Sequence, residues 1–190
     1  MKVMILTLFA ISLSLLGAET KEIGYWLLEK RGEVGNQVAY FQDKPYTGKT
    51  FGYYHKSSQK RGETIYKDGK KVHVTWWHKN GHKSQEQNFK DGAWHGPVKH
   101  WHDNGQIKMD QNFKDGRVVG LATNWYENGQ QANEINYKVG IMLSVQVWKP
   151  NGEKCPNTNL KSGNGVFVIY NDDGTEKIRT TFMDGVMVKD

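Results

Sequence analysis

Large apolar and aromatic side chains recur along this chain at fixed distances from glycine rather than in continuous runs. Tyr66, Phe89, Phe113, Tyr137, Leu160 and Phe182 each stand three residues before a glycine, and Trp77, Trp101, Trp125, Trp148 and Tyr170 each stand four before another. The first series of glycines is Gly69, Gly92, Gly116, Gly140, Gly163 and Gly185. A second series, Gly81, Gly105, Gly129, Gly152 and Gly174, interleaves with it, and steps within each are 22 to 24 residues. Repetition at such a period marks an array of small units that each bury little alone. In Val119, Leu121, Thr123 and Trp125 alternate positions are apolar, the period of a strand, whereas the matching His95, Pro97, Lys99 and Trp101 are mostly polar. The returning segments 83–88 and 130–136 are polar on both sides apart from single residues such as Ile135. A second layer over such strands would bury charges without partners, at several kcal/mol each. The pattern therefore predicts one layer held by cross-strand aromatic pairs, worth ~0.2 to 1 kcal/mol apiece.

The glycines are punctuated in two styles. Asp68-Gly69, Asp91-Gly92, Asp115-Gly116 and Asp184-Gly185 alternate with Asn80-Gly81, Asn104-Gly105, Asn128-Gly129 and Asn151-Gly152. Both dipeptides accept positive φ in two-residue hairpin turns. The 8 to 11 residues between turns hold one strand and leave no room for a helix with its connections. The fold class expected is all-β: an elongated, single-layer antiparallel meander of β-hairpin repeats, about 12 strands and roughly 55 Å long at ~4.8 Å per strand. Asp-Gly turns would run along one edge and Asn-Gly turns along the other.

Upstream of the array, Lys2, the 14-residue apolar stretch from Val3 to Leu16, and the small Gly17 and Ala18 make a secretory signal peptide over residues 1–18. The stretch is shorter than the ~20 residues a membrane-spanning helix needs, although the bulky Leu16 leaves an uncleaved anchor as the alternative. Residues 19–40 read as a lead-in and 41–190 as the array. A bacterial export route follows, with a periplasmic, outer-surface or secreted destination. Cys155 is the only cysteine, so no disulfide can form within the chain.

Net charge is +6, below what a nucleic-acid-binding surface usually carries. It is uneven: from Lys44 to Lys99 there are 12 basic and 4 acidic residues, from His100 to Asp190 there are 10 and 11. All seven histidines and Trp76, Trp77, Trp94 and Trp101 fall in or beside the basic half. Trp77, His78, Lys83, Trp94, Lys99, His100, Trp101 and His102 are the candidate binding residues. Their partner would be anionic: an acidic protein surface first, an anionic lipid or a polyanionic glycan otherwise. The plainer reading makes the lysines a solvated edge that discourages strand pairing. For a metal, the ring nitrogens would have to converge within ~2.1 Å of one ion. Two-residue turns would set Lys83 between His78 and His100, leaving those histidines two strands apart. No metal, cofactor or catalytic residue is expected, since no nucleophile elbow, phosphate loop or zinc-protease motif is present.

The stretches YKDGKKVHVTWWHKNG, FKDGAWHGPVKHWHDNG, FKDGRVVGLATNWYENG and YKVGIMLSVQVWKPNG resemble the variant class of MORN repeats found in bacterial proteins. FQDKPYTGKTFGYY, through Phe41, Asp43 and Gly48, resembles the segment that opens such arrays. The pattern is broken at Ser57 and Ser58, at Val139 and Ser162 in place of the turn Asp, and at Leu160. The resemblance implies a curved antiparallel sheet used as a docking surface. It also implies, through the antitoxin label such proteins often bear, binding to a partner rather than catalysis. The expectation is thus an exported, non-enzymatic scaffold that binds another protein. The alternatives are an antitoxin or immunity-type inhibitor and a membrane-surface organiser on anionic lipid.

Overall fold

The computed structural model describes residues 21–32 and 37–188. The leader therefore lies outside the described residues. Sixteen strands lie among the described residues, and the twelve from Gly48 onward match the number expected for the array. Four short ones come first: β1 (Lys21–Gly24), β2 (Glu29–Arg31), β3 (Val38–Phe41) and β4 (Lys44–Pro45). Then come β5 (Gly48–Tyr53), β6 (Lys60–Lys67), β7 (Lys70–Trp77), β8 (Lys83–Lys90), β9 (Ala93–Trp101) and β10 (Ile107–Lys114). After them run β11 (Arg117–Trp125), β12 (Gln131–Lys138), β13 (Ile141–Val147), β14 (Gly165–Tyr170), β15 (Glu176–Met183) and β16 (Val186–Val188). Strands β5 to β13 form an unbroken antiparallel meander, and β1 joins its edge in parallel with β5. At ~4.8 Å per step these ten strands span roughly 43 Å. Two three-stranded sheets, β2-β3-β4 and β14-β15-β16, flank it.

The lead-in is thus built into the array. Ile23, Ala39, Tyr46 and Tyr66 form a small core, and Ala39 N–H donates to the Gly69 carbonyl at 2.8 Å. At the other end the meander loses regular pairing over residues 148–164, where Pro156 lacks an N–H and no alternation survives. Continuity is kept by single bonds: Cys155 N–H donates to Val147 O at 2.8 Å on one side, and Asn159 N–H to Val166 O at 3.0 Å on the other. Val147, Val168, Leu160, Phe167 and Cys155 are buried together there.

The two glycine series build different turns. In the first, Asp68, Asp91, Asp115 and Asp184 have φ of 49 to 50° and the following glycines 76 to 83°, the two-residue geometry predicted. Val139 and Ser162 adopt the same conformation at 49° and 52°. In the second series only the glycine is left-handed. His78 N–H donates to His82 O at 2.8 Å and Gly81 N–H to His78 O at 3.0 Å, so a tight turn is followed by a left-handed glycine. The expected two-residue Asn-Gly turn is corrected accordingly, and the reason is the Asn side chain. Asn80 Oδ1 accepts the His82 N–H at 3.0 Å while its Nδ2 donates to Asp103 O of the next loop at 2.6 Å. Asn104 and Asn128 repeat the donation to Glu127 O and Pro150 O. Asp173, in the last loop, keeps only the accepting half, from Thr175 N–H at 2.8 Å.

Candidate binding face

Side chains alternate across the sheet, so the register assigns each to one of two faces. On the first, Thr50, Thr64, Val74, Gln87 and Val98 form one cross-strand row, and Ala122, Ile135 and Val145 another. Val98 is 1 % exposed and Ala122 0 %. Tyr66, Phe89, Phe113 and Tyr137, the rings of the first glycine series, lie on this packed face. Trp94 joins them, edge-on to Phe113 at 4.9 Å.

The open face carries the rings of the second series. Tyr53, Trp77, Trp101 and Trp125 stand opposite Lys60, Lys83, Ile107 and Gln131. Beside them Glu63, Thr75, Glu86, Lys99, Asp110, Thr123 and Glu134 form a polar row. A bulge three residues beyond each second-series glycine, at Ser84, Lys108 and Ala132, lets the parity switch so that Lys83 shares a face with Trp77. A shallow depression of about 340 Å³ opens between Lys99, Asp110, Leu121, Thr123 and Trp125. Among the described residues no element other than ladder neighbours packs extensively on either face of β7 to β11, and Trp76 and Trp94 on the first face are 39 % and 38 % exposed.

The eight candidates from the sequence are therefore divided. Trp77, Lys83, Lys99 and Trp101 come together on the open face. Trp94 and His100 are on the packed one, where His100 faces Gln85 and Met109 rather than Lys83. Burial, reinforced by the charge of Lys108, holds the His100 imidazole below its ordinary range. His78 and His102 are fasteners. The chain puts Tyr54, His78, His102 and Tyr126 just after successive strand ends, and each reaches a carbonyl one repeat on. Tyr54 Oη donates to Trp77 O at 2.7 Å, His78 Nε2 to Trp101 O at 3.1 Å, His102 Nε2 to Trp125 O at 2.9 Å, and Tyr126 Oη to Trp148 O at 2.7 Å. A carbonyl only accepts, so each Nε2 carries a hydrogen, and His78 also sets Nδ1 2.7 Å from Asp103 Oδ1.

The basic half is also less bare than its charge count. Lys83 Nζ is 3.2 Å from Glu86 and 5.6 Å from the Trp101 ring centroid. Lys99 pairs with Asp110 at 3.1 Å, and Lys60 with Glu63 at 3.1 Å. Burial pushes the Glu63 carboxyl up, but the Lys60 hydrogen bond and the charges of Lys49 and Lys60 outweigh it and hold the group low. One carboxylate per returning strand, at Glu63, Glu86, Asp110 and Glu134, is the signal the linear count of charges missed. Among the described residues no three His, Cys, Asp or Glu side chains converge on a point that could hold a metal ion. The arrangement offers half-exposed rings, paired charges and a shallow depression, chemistry suited to recognising a surface.

No curated protein matches the chain. Three consecutive hairpins, each running from an outgoing strand through an Asn-Gly loop to the end of its returning strand, match the MORN repeat variant, at residues 72–91, 94–115 and 118–138.

Proposed function

We propose that the chain is an exported, non-enzymatic repeat protein that docks another protein on its open face. The row Tyr53, Trp77, Trp101 and Trp125 carries this reading: successive repeats set a partly exposed ring at the same place on one face, beside a row of paired charges. Large amphipathic rings supply contact area at low entropic cost. The groups that could pass for acid–base or metal chemistry are occupied elsewhere, the Asp and Asn in turns and His78 and His102 in fasteners. An antitoxin or immunity role is the narrower form of this function, in which the same face covers a toxin.

A photo-reactive residue placed at Trp101, on the open face, should capture one stoichiometric partner in the native envelope, and Trp125→Ala should reduce the yield. Capture from Gln87 on the packed face instead would reverse the assignment. A second reading draws on Tyr25, Trp26 and Leu27, a 3-10 turn in which the two rings are 62 % and 63 % exposed. Rings of this kind anchor proteins at a bilayer interface, which favours a membrane-surface organiser. Pelleting with anionic vesicles at low salt tests it, and protein left in the supernatant rejects it.

A further inference from the structure

Gly62 in β6 stands outside both glycine series, and its missing side chain admits a ring. It pairs with Trp76 in β7, whose indole lies over it: a Cβ there would come within 2.5 Å of Trp76 Cε3 and Cζ3. The corresponding pairs one and two repeats on are Gln85 with His100 and Met109 with Asn124, where no glycine makes such room. The backbone of β6 thus takes one side of the indole, and the ring still stays exposed. It borders a depression of about 300 Å³ that Tyr54, Arg61, Trp77, Ser84 and Gln85 also line. Arg61 and Ser84 are the unpaired bulge residues of their ladders, opposite Gly52–Tyr53 and Trp76–Trp77. Tyr54 Oη, by donating to Trp77 O at 2.7 Å, fixes the phenol as a wall. Gln85 Oε1 accepts from Gln87 Nε2 at 3.2 Å, which leaves Gln85 Nε2 to donate elsewhere. Arg61 Cζ and Lys79 Nζ each lie 6.0 Å from the Tyr54 ring centroid. Among the described residues neither makes an ion pair or a hydrogen bond, whereas Lys60, Lys83 and Lys99 on the opposite face are all paired with carboxylates.

We infer that this depression binds a hexuronate unit of an acidic polysaccharide. A pyranose presents C–H groups of slight positive charge on its flat side, and these pack on the electron-rich face of an indole. The sugar carboxylate meets the planar Arg61 fork, which can hold both of its oxygens, while Gln85 Nε2 and Ser84 Oγ serve the hydroxyls. Charge complementarity selects an acidic sugar over a neutral one. A phosphate or a peptide carboxylate satisfies Arg61 but leaves the indole uncovered. The site lies on the face opposite the proposed docking row, so a bound glycan and a docked protein do not compete for it.

The test is calorimetric titration of the full chain with trigalacturonate, with indole emission followed in parallel. Saturable binding at one trisaccharide per chain and a shift in emission are expected, and maltotriose should bind about tenfold more weakly or worse. Arg61→Gln should bring trigalacturonate down to the level of maltotriose with the unfolding midpoint unchanged, because Arg61 is exposed and unpaired. Trp76→Ala should weaken both sugars about threefold or more, and Trp76→Phe should recover part of the loss. Lys114→Gln, which removes an exposed cation elsewhere on the sheet, should bind as the parent does. Absence of saturation, equal affinity for maltotriose or for triglutamate, parental affinity in Arg61→Gln or Trp76→Ala, or an equal loss in Lys114→Gln overturns the site. Capture of a protein from Trp101 would be unaffected by that result, so the two readings fail separately.

Discussion

The imidazole of His102 donates through Nε2 to the carbonyl oxygen of Trp125 at 2.9 Å, across 23 residues of sequence and into the next repeat. Tyr54 and Tyr126 make the same contact with a phenol. The position thus selects for a donor of a certain reach, and imidazole and phenol serve equally.

His102→Tyr should therefore leave the urea unfolding midpoint close to that of the parent. His102→Phe keeps the ring and removes the donor, stranding the Trp125 carbonyl, and should cost about 1 kcal/mol. Equal losses in the two variants would show that ring packing, and not the hydrogen bond, fastens the repeats.

Val139 occupies the first position of a two-residue turn at φ 49°, where its sister positions hold Asp at 49 to 50°. A β-branched residue is strained in the left-handed region, and Asp or Asn relieves it. Val139→Asn should raise stability by about 1 kcal/mol, read as a higher thermal midpoint, whereas Asp115→Val should lower it by a similar amount.

The Asp-Gly turns were legible because only a few residue pairs tolerate two successive positive φ angles, and that alone locates one edge of the sheet. The Asn-Gly loops were misread for the same reason, since a single left-handed glycine suits either turn. The deciding contact, Asn80 Nδ2 to Asp103 O, joins residues 23 apart. The face assignments depended on bulges at Ser84, Lys108 and Ala132, which leave no mark in the hydrophobic pattern. Trp94, His100 and Trp101 all lie on β9, where alternation alone sets Trp101 on the face opposite the other two, so nearness in sequence is what grouped them. Lys99 meets Asp110 only across β9 and β10, and Lys83 meets Glu86 because both lie on one face of β8, pairings that a net count of charges along the chain does not show.

Acidification should weaken the fold in two windows. His100 has its folded-state pKa lowered from 6.5, so the unfolded chain takes up the proton first. The stability it contributes is complete above about 6.5 and declines as pH falls from there toward the lowered folded value. Glu63 is lowered from 4.5, so its contribution is present above 4.5 and is lost as pH falls through its folded value. Thermal midpoints measured between pH 7 and pH 5 should fall in the parent and flatten in His100→Gln. An unchanged slope would remove His100 from the account.

Gly62 in β6 pairs with Trp76 in β7, and the indole lies over the glycine: a Cβ there would meet Trp76 Cε3 and Cζ3 at 2.5 Å. Gly62 belongs to neither glycine series, and Trp76 is 39 % exposed, so the ring reads in isolation as a surface tryptophan. The contact instead covers bare backbone in a strand that glycine would otherwise weaken. Gly62→Ala must lift the indole off the sheet, which should cost about 1 to 3 kcal/mol and shift the tryptophan emission to longer wavelength. In the Trp76→Ala background the ring is already gone, so Gly62→Ala should cost far less there. Equal costs in the two backgrounds would mean that the glycine is required by the ladder itself and not by the indole above it.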